Sequence, residues 1–586
     1  MNVSPSPSQV TPAARPGVPG KSSVVLALVG SGGDGVALLG DLVLRMAARL
    51  GLYGVMVQSY GPQIRGGESA AILRLGIEET PYEGGSTDLL LCFRVSDLAR
   101  FRGALRLHDR SVVILEAADK ASLPDWLGAS GREPFRFPFA TFENGEEVPG
   151  EPKNMLALGL LCRALGWPAA PARAALDQRF GNRPQLLAKD LAAFERGFAA
   201  ADVPELPTLA GRGASLFVES GNEAVARGAI QAGVRFFAGY PITPSSEIME
   251  TLLEELPPRG GRVVQAEDEI AALGMVVGAS FGGVPAMTAT SGPGLSLMTE
   301  MIGLASMAEL PAVIVDCQRA GPATGMPSRT EQSDLFHAIY GGHGDFPRVV
   351  MGVFDVVHAR EVMHKAVTVA ERFQLPVLVL SDAYIAQRRQ IRPPLSPVAE
   401  AAPRRGWSEV DGPLRFALDT PEGVNPFRVP GTPGATYLAA GIEHTPQGWP
   451  TADGAVHHQM NEKRFRKLEG VARETADWCR TLGDPGATRG LIAWGSQYGV
   501  LREWVAEHAD YRVFLPEILH PFPLAALERW REGLAWTGVV ELSYQGQFHR
   551  LLCGLTDMRG VHVAARSGGL PLSLAELAAW IEGVTT

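Results

Sequence analysis

The sequence predicts an α/β protein made of several doubly wound domains, and three observations carry that prediction. Short apolar runs of strand length alternate with amphipathic helical stretches through most of the chain, which is the pattern of parallel sheets covered by helices. The chain holds 67 glycines, many of them at strand-to-helix junctions, where α/β proteins place their ligands. Its 586 residues exceed what one hydrophobic core can serve, so three or four domains are expected.

Taken in order, residues 1–22 form a Pro- and Ser-rich tail without a signal-peptide core, expected to be disordered. Residues 23–200 open on "SSVVLALVGSGGDGVALLGDLVLRMAARLGLYGVMVQSY", which reads strand, glycine turn, helix, strand. Leu38, Leu39, Leu42, Val43, Met46, Ala47 and Leu50 recur there at helical spacing. A Pro/Gly linker (201–212) precedes a second α/β block (213–392), with "RFFAGYPIT", "VPAMTATSGPGLSLMTEMIGLA", "LPAVIVDCQ" and "LPVLVLSDA". Its strands alternate with helices, so a parallel sheet with helices on both faces is expected. Residues 393–465 are rich in breakers and read as an irregular segment wrapping the surface or a partner. Alternation resumes over 466–586.

Composition excludes several classes. Charged residues are 20% and apolar ones 46%, the balance of a well-buried globular protein. The net charge of −10 and the lack of a long basic run argue against nucleic acid and anionic membranes as partners. No apolar stretch has the roughly 18 residues needed for a membrane span. Cys92, Cys162, Cys317, Cys479 and Cys553 are scattered, with no CxxC pair to seed zinc or an iron–sulfur cluster, so a reduced, cytoplasmic protein with no metal site of its own is expected.

The first glycine loop, "GSGGDG" (30–35), fits G-x-G-x-x-G, yet the following strand ends "VMVQSY" without the acid that would hold an NAD ribose. Its "GDG" also begins the diphosphate–magnesium motif of thiamine enzymes, but the closing asparagine is missing; the next one is Asn144. A tight turn, with or without anion binding at the helix start, is what remains. "YGPQIRGGES" (60–69) sets Arg65 beside Gly66 and Gly67, which suits a phosphate-bearing ligand as well as it suits a structural turn.

The most informative stretch is "FAGYPITPSSEIME" (237–250). Pro241 and Pro244 stiffen a turn between strand and helix, and Pro244 keeps Thr243 out of the helical region, where it would serve as N-cap. In "VVQAEDEIAALGMVVGAS" an acidic triplet opens an apolar helix. Glu269 leads into it, with Glu267 as rival, and Gly274 and Gly278 permit close approach of another backbone. A carboxylate in such a place is either paired or has a raised pKa. In "GIEHTPQGWPTADGAVHHQMNEKRFRKLE" (441–469), His444, His457 and His458 fit no metal-ligand spacing well; a polar segment gripping a partner is the preferred reading. Glu541 and Gln545 of the last block are read as structural or interfacial, with no catalysis assigned.

"YPITPSS", "EDEIAALGMVVGAS", "TSGPG" and "QRAGPATGMPSRTEQSDL", in this order, resemble the α subunit of 2-oxoacid:ferredoxin oxidoreductases and are close to the 2-oxoglutarate type. Residues 22–200 resemble the family's γ domain, a Rossmann-like unit fused ahead of α. The last block resembles its transketolase-C-terminal-like domain. The resemblance implies that the second block is the pyrimidine-binding domain for thiamine diphosphate. Glu269 would bond the pyrimidine N1′, with Tyr240, Pro241, Ile242 and Thr243 lining the cofactor. Thr243 would also meet the oxoacid, Arg319 would bind its carboxylate, Ser328 stands where related enzymes often have threonine, and Arg329 would neutralise a distal carboxylate. Gly32, Gly33, Arg65, Gly66 and Gly67 would help cover coenzyme A.

The same resemblance implies a β subunit that supplies Mg²⁺, the diphosphate site and a 4Fe-4S cluster, in an (αβ)2 heterotetramer that passes electrons to ferredoxin. The implied reaction is oxidative decarboxylation of 2-oxoglutarate with coenzyme A to succinyl-CoA and CO2. Branched-chain 2-oxoacids or pyruvate are alternative substrates. A self-sufficient thiamine lyase is disfavoured by the missing metal motif, and a nucleotide-binding regulatory or scaffold protein by the missing ribose acid.

Overall fold

The computed structural model describes residues 22–60, 68–128, 130–143, 146–148, 152–211, 216–395 and 399–585. Three larger sheets organise it. The first has eight strands in the order Phe135–Phe137, Leu107–Glu116, Thr87–Cys92, Ser23–Ser31, Glu68–Gly76, Tyr53–Tyr60, Arg389–Arg392 and Phe217–Ser220. Strand Ser23–Ser31 is central and buried on both faces. Val24, Leu26 and Leu28 enter the core under helices Val36–Arg49 and Lys153–Ala164, while Ala27 and Val29 enter a second core with Leu90 and Leu98. That explains why the run reads as continuously apolar rather than alternating. Leu39, Leu42, Val43, Met46 and Ala47 of the first helix are buried, as their spacing predicts.

This sheet is mixed: Glu68–Gly76 runs antiparallel to both of its neighbours. It also reaches beyond residue 200. The two ends of the second block, Phe217–Ser220 and Arg389–Arg392, pair with each other, and Arg389–Arg392 also pairs with Tyr53–Tyr60. Side chains reinforce that seam: Arg389 bonds Asp41 at 2.6 Å, Arg388 donates to Pro81 O at 2.7 Å, and Tyr384 bonds Glu83.

The second sheet holds six parallel strands in the order Arg262–Gln265, Phe236–Gly239, Ala286–Thr290, Ala312–Gln318, Pro376–Asp382 and Val349–Gly352. Ile518–His520, from the last block, adds an antiparallel edge. Helices cover both faces. Val313, Val315 and Cys317 pack toward helices Gly221–Gln231 and Val356–Phe373; Ala312 and Ile314 pack toward Glu269–Phe281 and Gly292–Met307. The latter core continues through Ile492, Phe514 and Val539 into the third sheet, Cys479–Gly483, Tyr511–Pro516, Arg489–Ala493, Trp536–Glu541 and His562–Ala565, so the second and third blocks share one apolar interior. Glu541, fully buried, accepts from Phe548 N, His549 N and Ser543 Oγ and fastens the turn before helix Gln547–Cys553, a structural task. Gln545 accepts from Arg550 at 2.8 Å.

Between 399 and 453 the described chain has only 3-10 turns and isolated bridges, and buried arginines hold it down. Arg404 forks onto Glu371 at 2.7 and 2.9 Å, and Arg415 bonds Glu309 O and Gln374. Regular structure returns earlier than expected, with helix Gly454–Glu474, started by Asp453 accepting from Ala455 N and Val456 N. Lys463 and Lys467 of this helix both reach the fully buried Glu309, at 2.5 and 2.8 Å. The two ammonium groups hold the Glu309 carboxyl well below the usual range, and burial pulls the lysines down to about 7 and about 8. Removing the shared anion strands two buried cations, so Glu309→Ala is expected to destabilise the fold by about 3–5 kcal/mol, read as a lower denaturation midpoint. A wild-type midpoint would show that the cluster does not hold the connecting segment.

Candidate active site

The parallel strands of the second sheet all end at one edge, and the side chains singled out in the sequence follow those ends. Strand Phe236–Gly239 leads into Tyr240–Thr243, Arg262–Gln265 into Glu269, Ala286–Thr290 into "SGPG", and Ala312–Gln318 into Arg319. This is where an open α/β sheet binds its ligands.

The turn after the first of these strands contains a cis Thr243–Pro244 peptide. Ser245 donates from both N and Oγ to Ile242 O, at 2.8 and 3.0 Å, and the buried Asn222 amide donates to Pro244 O at 2.7 Å. Helix Ser246–Glu255 is entered through Ser245, so Thr243 is not its N-cap, contrary to expectation. Ser245, not Thr243, stands at the helix mouth, and Thr243 is exposed with Tyr240 (42%) and Pro241.

In the acidic triplet, Glu267 and Asp268 are exposed and Glu269 is 6% exposed. Asp268 is the N-cap, accepting from Ala271 N at 2.7 Å, which turns the next side chain inward. Glu269 then lies against Gly294, in the first turn of helix Gly292–Met307. A Cβ at 294 would stand 2.0 Å from Thr290 Oγ1 and 2.7 Å from Glu269 Oε1. The glycine of "TSGPG" therefore makes the room that the carboxyl occupies, a role the sequence reading did not assign. At Gly274 and Gly278, by contrast, nothing among the described residues lies within 4 Å of where a Cβ would stand. Ile270 (45%) of the same helix and Leu297 (50%) of helix Gly292–Met307 are likewise exposed apolar side chains.

Arg319 is brought to Thr243: its Nη1 donates to Thr243 O at 2.8 Å, while its Nε is buried without a partner among the described residues. Burial lowers the Arg319 guanidinium from its ordinary value, and the charge of Asp334 raises it. Ala320 N donates to Arg329 O at 2.9 Å, which folds the loop back on itself. Ser328 and Arg329 thus line a cleft beside Arg319. Its other walls come from the first sheet (Val57, Gln58), helix Ala383–Gln387 with Arg388, and the last block (Gly569–Pro571). Gly569 is needed there, since a Cβ would meet Arg329 Cβ at 2.6 Å.

In the first glycine loop, Gly32 and Gly33 form an exposed turn. Asp34 turns in, accepting from Ser31 N at 2.8 Å and facing Lys153 at 3.3 Å. Arg65, Gly66 and Gly67 lie outside the described residues. His444 is buried against the Phe416 ring, His457 bonds Glu443 at 2.5 Å, and His458 is exposed beside Glu462. Among the described residues no three His, Cys, Asp or Glu side chains group to hold a metal, and no helix is long and apolar enough to cross a membrane.

The family model for the thiamine-diphosphate-binding part of pyruvate flavodoxin/ferredoxin oxidoreductases matches residues 227–464, and that for pyruvate ferredoxin/flavodoxin oxidoreductase matches 25–200. The 2-oxoglutarate synthase subunit KorA of Archaeoglobus fulgidus is 39% identical over 329 residues, 55% of this chain and 87% of the relative. The chain belongs to the 2-oxoacid:ferredoxin oxidoreductase family. KorA of Methanothermobacter thermautotrophicus is 42% identical over 60% of this chain and 93% of its own length. The longer α subunit of Sulfurisphaera tokodaii 2-oxoacid:ferredoxin oxidoreductase 1 is 36% identical, with 60% of its length matched. The solved 2-oxoglutarate:ferredoxin oxidoreductase from Magnetococcus marinus, with 2-oxoglutarate, coenzyme A and succinyl-CoA bound, superposes with a TM-score of 0.87 at 32% identity, over 97% of this chain and 100% of that one.

The family's thiamine cofactor suits what stands at this edge: one inward carboxyl, a glycine that leaves space beside it, and an open turn opposite. Packing there predicts a contrast between two glycines. Gly294→Ala overpacks the site and should destabilise the isolated chain by about 1–3 kcal/mol. Gly278→Ala, in open space, should leave its stability unchanged or raise it by up to about 1 kcal/mol through helix propensity. Equal losses in denaturant titrations would contradict this account of the site.

Proposed function

We propose that this chain is the α-type subunit, with a γ-type region fused ahead of it, of a thiamine-diphosphate-dependent 2-oxoglutarate:ferredoxin oxidoreductase. It would convert 2-oxoglutarate and coenzyme A to succinyl-CoA and CO2 in the cytoplasm. A β partner would carry Mg²⁺, the diphosphate site and a 4Fe-4S cluster that delivers electrons to ferredoxin, in an (αβ)2 assembly. The observation that carries the reading is a buried Glu269 set against Gly294 beside a solvent-open Tyr240–Thr243 turn that Arg319 touches. Such a site is half built, and the apolar face at Ile270, Gly274, Gly278 and Leu297 is where its other half would dock.

When bound, thiamine diphosphate supplies the carbon nucleophile and the electron sink that decarboxylation needs. The chain's own residues do the rest. Glu269 holds a proton at the pyrimidine N1′, which its sheltered position favours over exchange with water. Tyr240, Pro241 and Ile242 wall the ring, and the Thr243 hydroxyl meets the reacting end of the oxoacid. Arg319 presents a planar fork to the oxoacid carboxylate. Ser328 and Arg329, in the adjoining cleft, meet the distal end of the substrate. Gln58 in that cleft lies near the end of strand Tyr53–Tyr60, a few residues before Arg65, Gly66 and Gly67 in the sequence, which supports placing coenzyme A on this side together with Gly32 and Gly33. We divide the labour as 23–200 on the coenzyme A side, 213–392 on the pyrimidine side, 393–465 as connector and 466–586 as the closing block.

The test is reduction of a viologen dye by 2-oxoglutarate and coenzyme A, with this chain alone and with its partner. Activity is expected only from the pair, and Glu269→Ala should lower kcat at least about 100-fold. Turnover by this chain alone would overturn the two-chain reading. Preference for 2-oxoisovalerate or pyruvate would overturn the substrate and redirect the roles of Ser328 and Arg329.

A further inference from the structure

Behind Arg319 lie two carboxyl groups that the reaction as outlined does not use. Asp316 is fully buried near the end of strand Ala312–Gln318, on the sheet face that covers helices Glu269–Phe281 and Gly292–Met307. Among the described residues, no donor other than the facing carboxyl itself reaches either of its oxygens, or Asp334 Oδ2. What faces Asp316 is the carboxyl of Asp334, three residues after Glu331 on the loop that carries Ser328 and Arg329. Asp334 is pinned from two sides. Its N–H donates to Gln318 Oε1 at 3.2 Å, and its carboxyl abuts the first residue of helix Gly292–Met307, where a Cβ on Gly292 would stand 2.7 Å from Oδ2.

The fully buried Asp316 carboxyl and the half-buried Asp334 carboxyl, whose Oδ2 is turned inward, cannot both be ionised, and a proton shared between them is the stable state. Burial and each other's charge push Asp316 well above the ordinary range. Burial pushes Asp334 to about 6, with Glu331 adding to the rise and the Asp316 hydrogen bond and Arg319 opposing it. The groups that act on Asp334 are therefore Asp316 and Arg319 from the strand and its end, and Glu331 from its own loop. Gly292, on the packed helix, brings no side-chain charge, only the positive end of the helix dipole.

We propose that the Asp316–Asp334 pair is a positioning device that sets the net charge seen by Arg319, and thereby couples binding of the oxoacid carboxylate to uptake of one proton. The proposal rests on the reading of Arg319 as carboxylate binder. Sign follows from charge. With the pair fully protonated, the guanidinium faces the oxoacid unopposed. Once Asp334 ionises, its negative charge partly neutralises Arg319 and repels the incoming anion. Oxoacid affinity thus falls as pH rises through about 6, and by reciprocity a bound oxoacid draws the proton back.

The experiment uses the enzyme assembled with its partner. KM for 2-oxoglutarate is measured from pH 5.5 to 7.5 in wild type, Asp334→Asn and Asp316→Asn, with proton uptake on binding measured by calorimetry in buffers of differing ionisation enthalpy. Wild type should show KM rising about tenfold with little change in kcat, the size expected of one nearby charge in a partly buried site, and net proton uptake near pH 6.5. Asp334→Asn should hold KM low and flat and take up no proton; Asp316→Asn should shift the rise to higher pH, since an amide gives a weaker version of the hydrogen bond that holds Asp334 down. Wild-type slope and proton uptake in Asp334→Asn, or no uptake by wild type, overturns the proposal. Arg319→Lys separates the two readings. If it leaves KM unchanged, the carboxylate role of Arg319 fails; if it raises KM while Asp334→Asn keeps the slope, only the coupling fails.

Discussion

The site depends on one packing constraint: the carboxyl of Glu269 and the Thr290 hydroxyl occupy the volume a side chain at Gly294 would need. A helix that begins with an acidic triplet ordinarily points its charges at water, where its dipole welcomes them. Here Asp268 takes the capping role and Glu267 stays outside, so that one carboxyl in three is driven inward. Burying it is tolerable because the facing helix begins with glycines and leaves a hole beside it. The six parallel strands add the second condition, since their common direction brings the Thr243 turn, Glu269, Gly294 and Arg319 to one edge.

That edge is held by the rest of the molecule through polar contacts rather than by the sheet alone. Gln332 bonds Leu542 through both its backbone and its carboxamide and also reaches Trp494 O, locking the loop of Ser328 and Arg329 to the last block. The other wall of the same cleft comes from the first sheet, which the second block enters with two of its own strands. The three blocks are thus interleaved, and Ser328 and Arg329 sit where all three meet. A substrate tail in that cleft would sense the fit between blocks as well as the side chains themselves.

Much of this was legible in the sequence, for physical reasons that differ from residue to residue. Short unbroken apolar runs alternating with helical periodicity identified the α/β alternation, because burial on both faces of a parallel sheet leaves nearly unbroken apolar strands. The cluster of Tyr240–Thr243, Glu269 and Arg319 was legible as motifs, and the strand ends bring these residues together. Other features were not local. The Thr243 cap failed because Ser245, bonded through N and Oγ to Ile242 O, takes the place before the helix, a choice between neighbouring hydroxyls that the motif does not show. The mixing of the first sheet, with strands borrowed from 217–220 and 389–392, depends on pairings more than 150 residues apart. The Asp316–Asp334 contact was invisible because it depends on how the irregular loop after Arg319 folds back on the strand end, although an aspartate inside "VIVDCQ" breaks an apolar strand and was a signal that could have been followed.

The central claim is that this chain carries half of a cofactor site and leaves its inner face open for another chain. Hydrogen–deuterium exchange of the chain with and without its partner subunit tests that claim most directly. The account predicts strong protection on assembly at 240–243, 270–278 and 292–300, the turn and the two helix starts that now face solvent. Assembly that leaves those three segments exchanging as in the free chain, with protection confined to other surfaces, would contradict it.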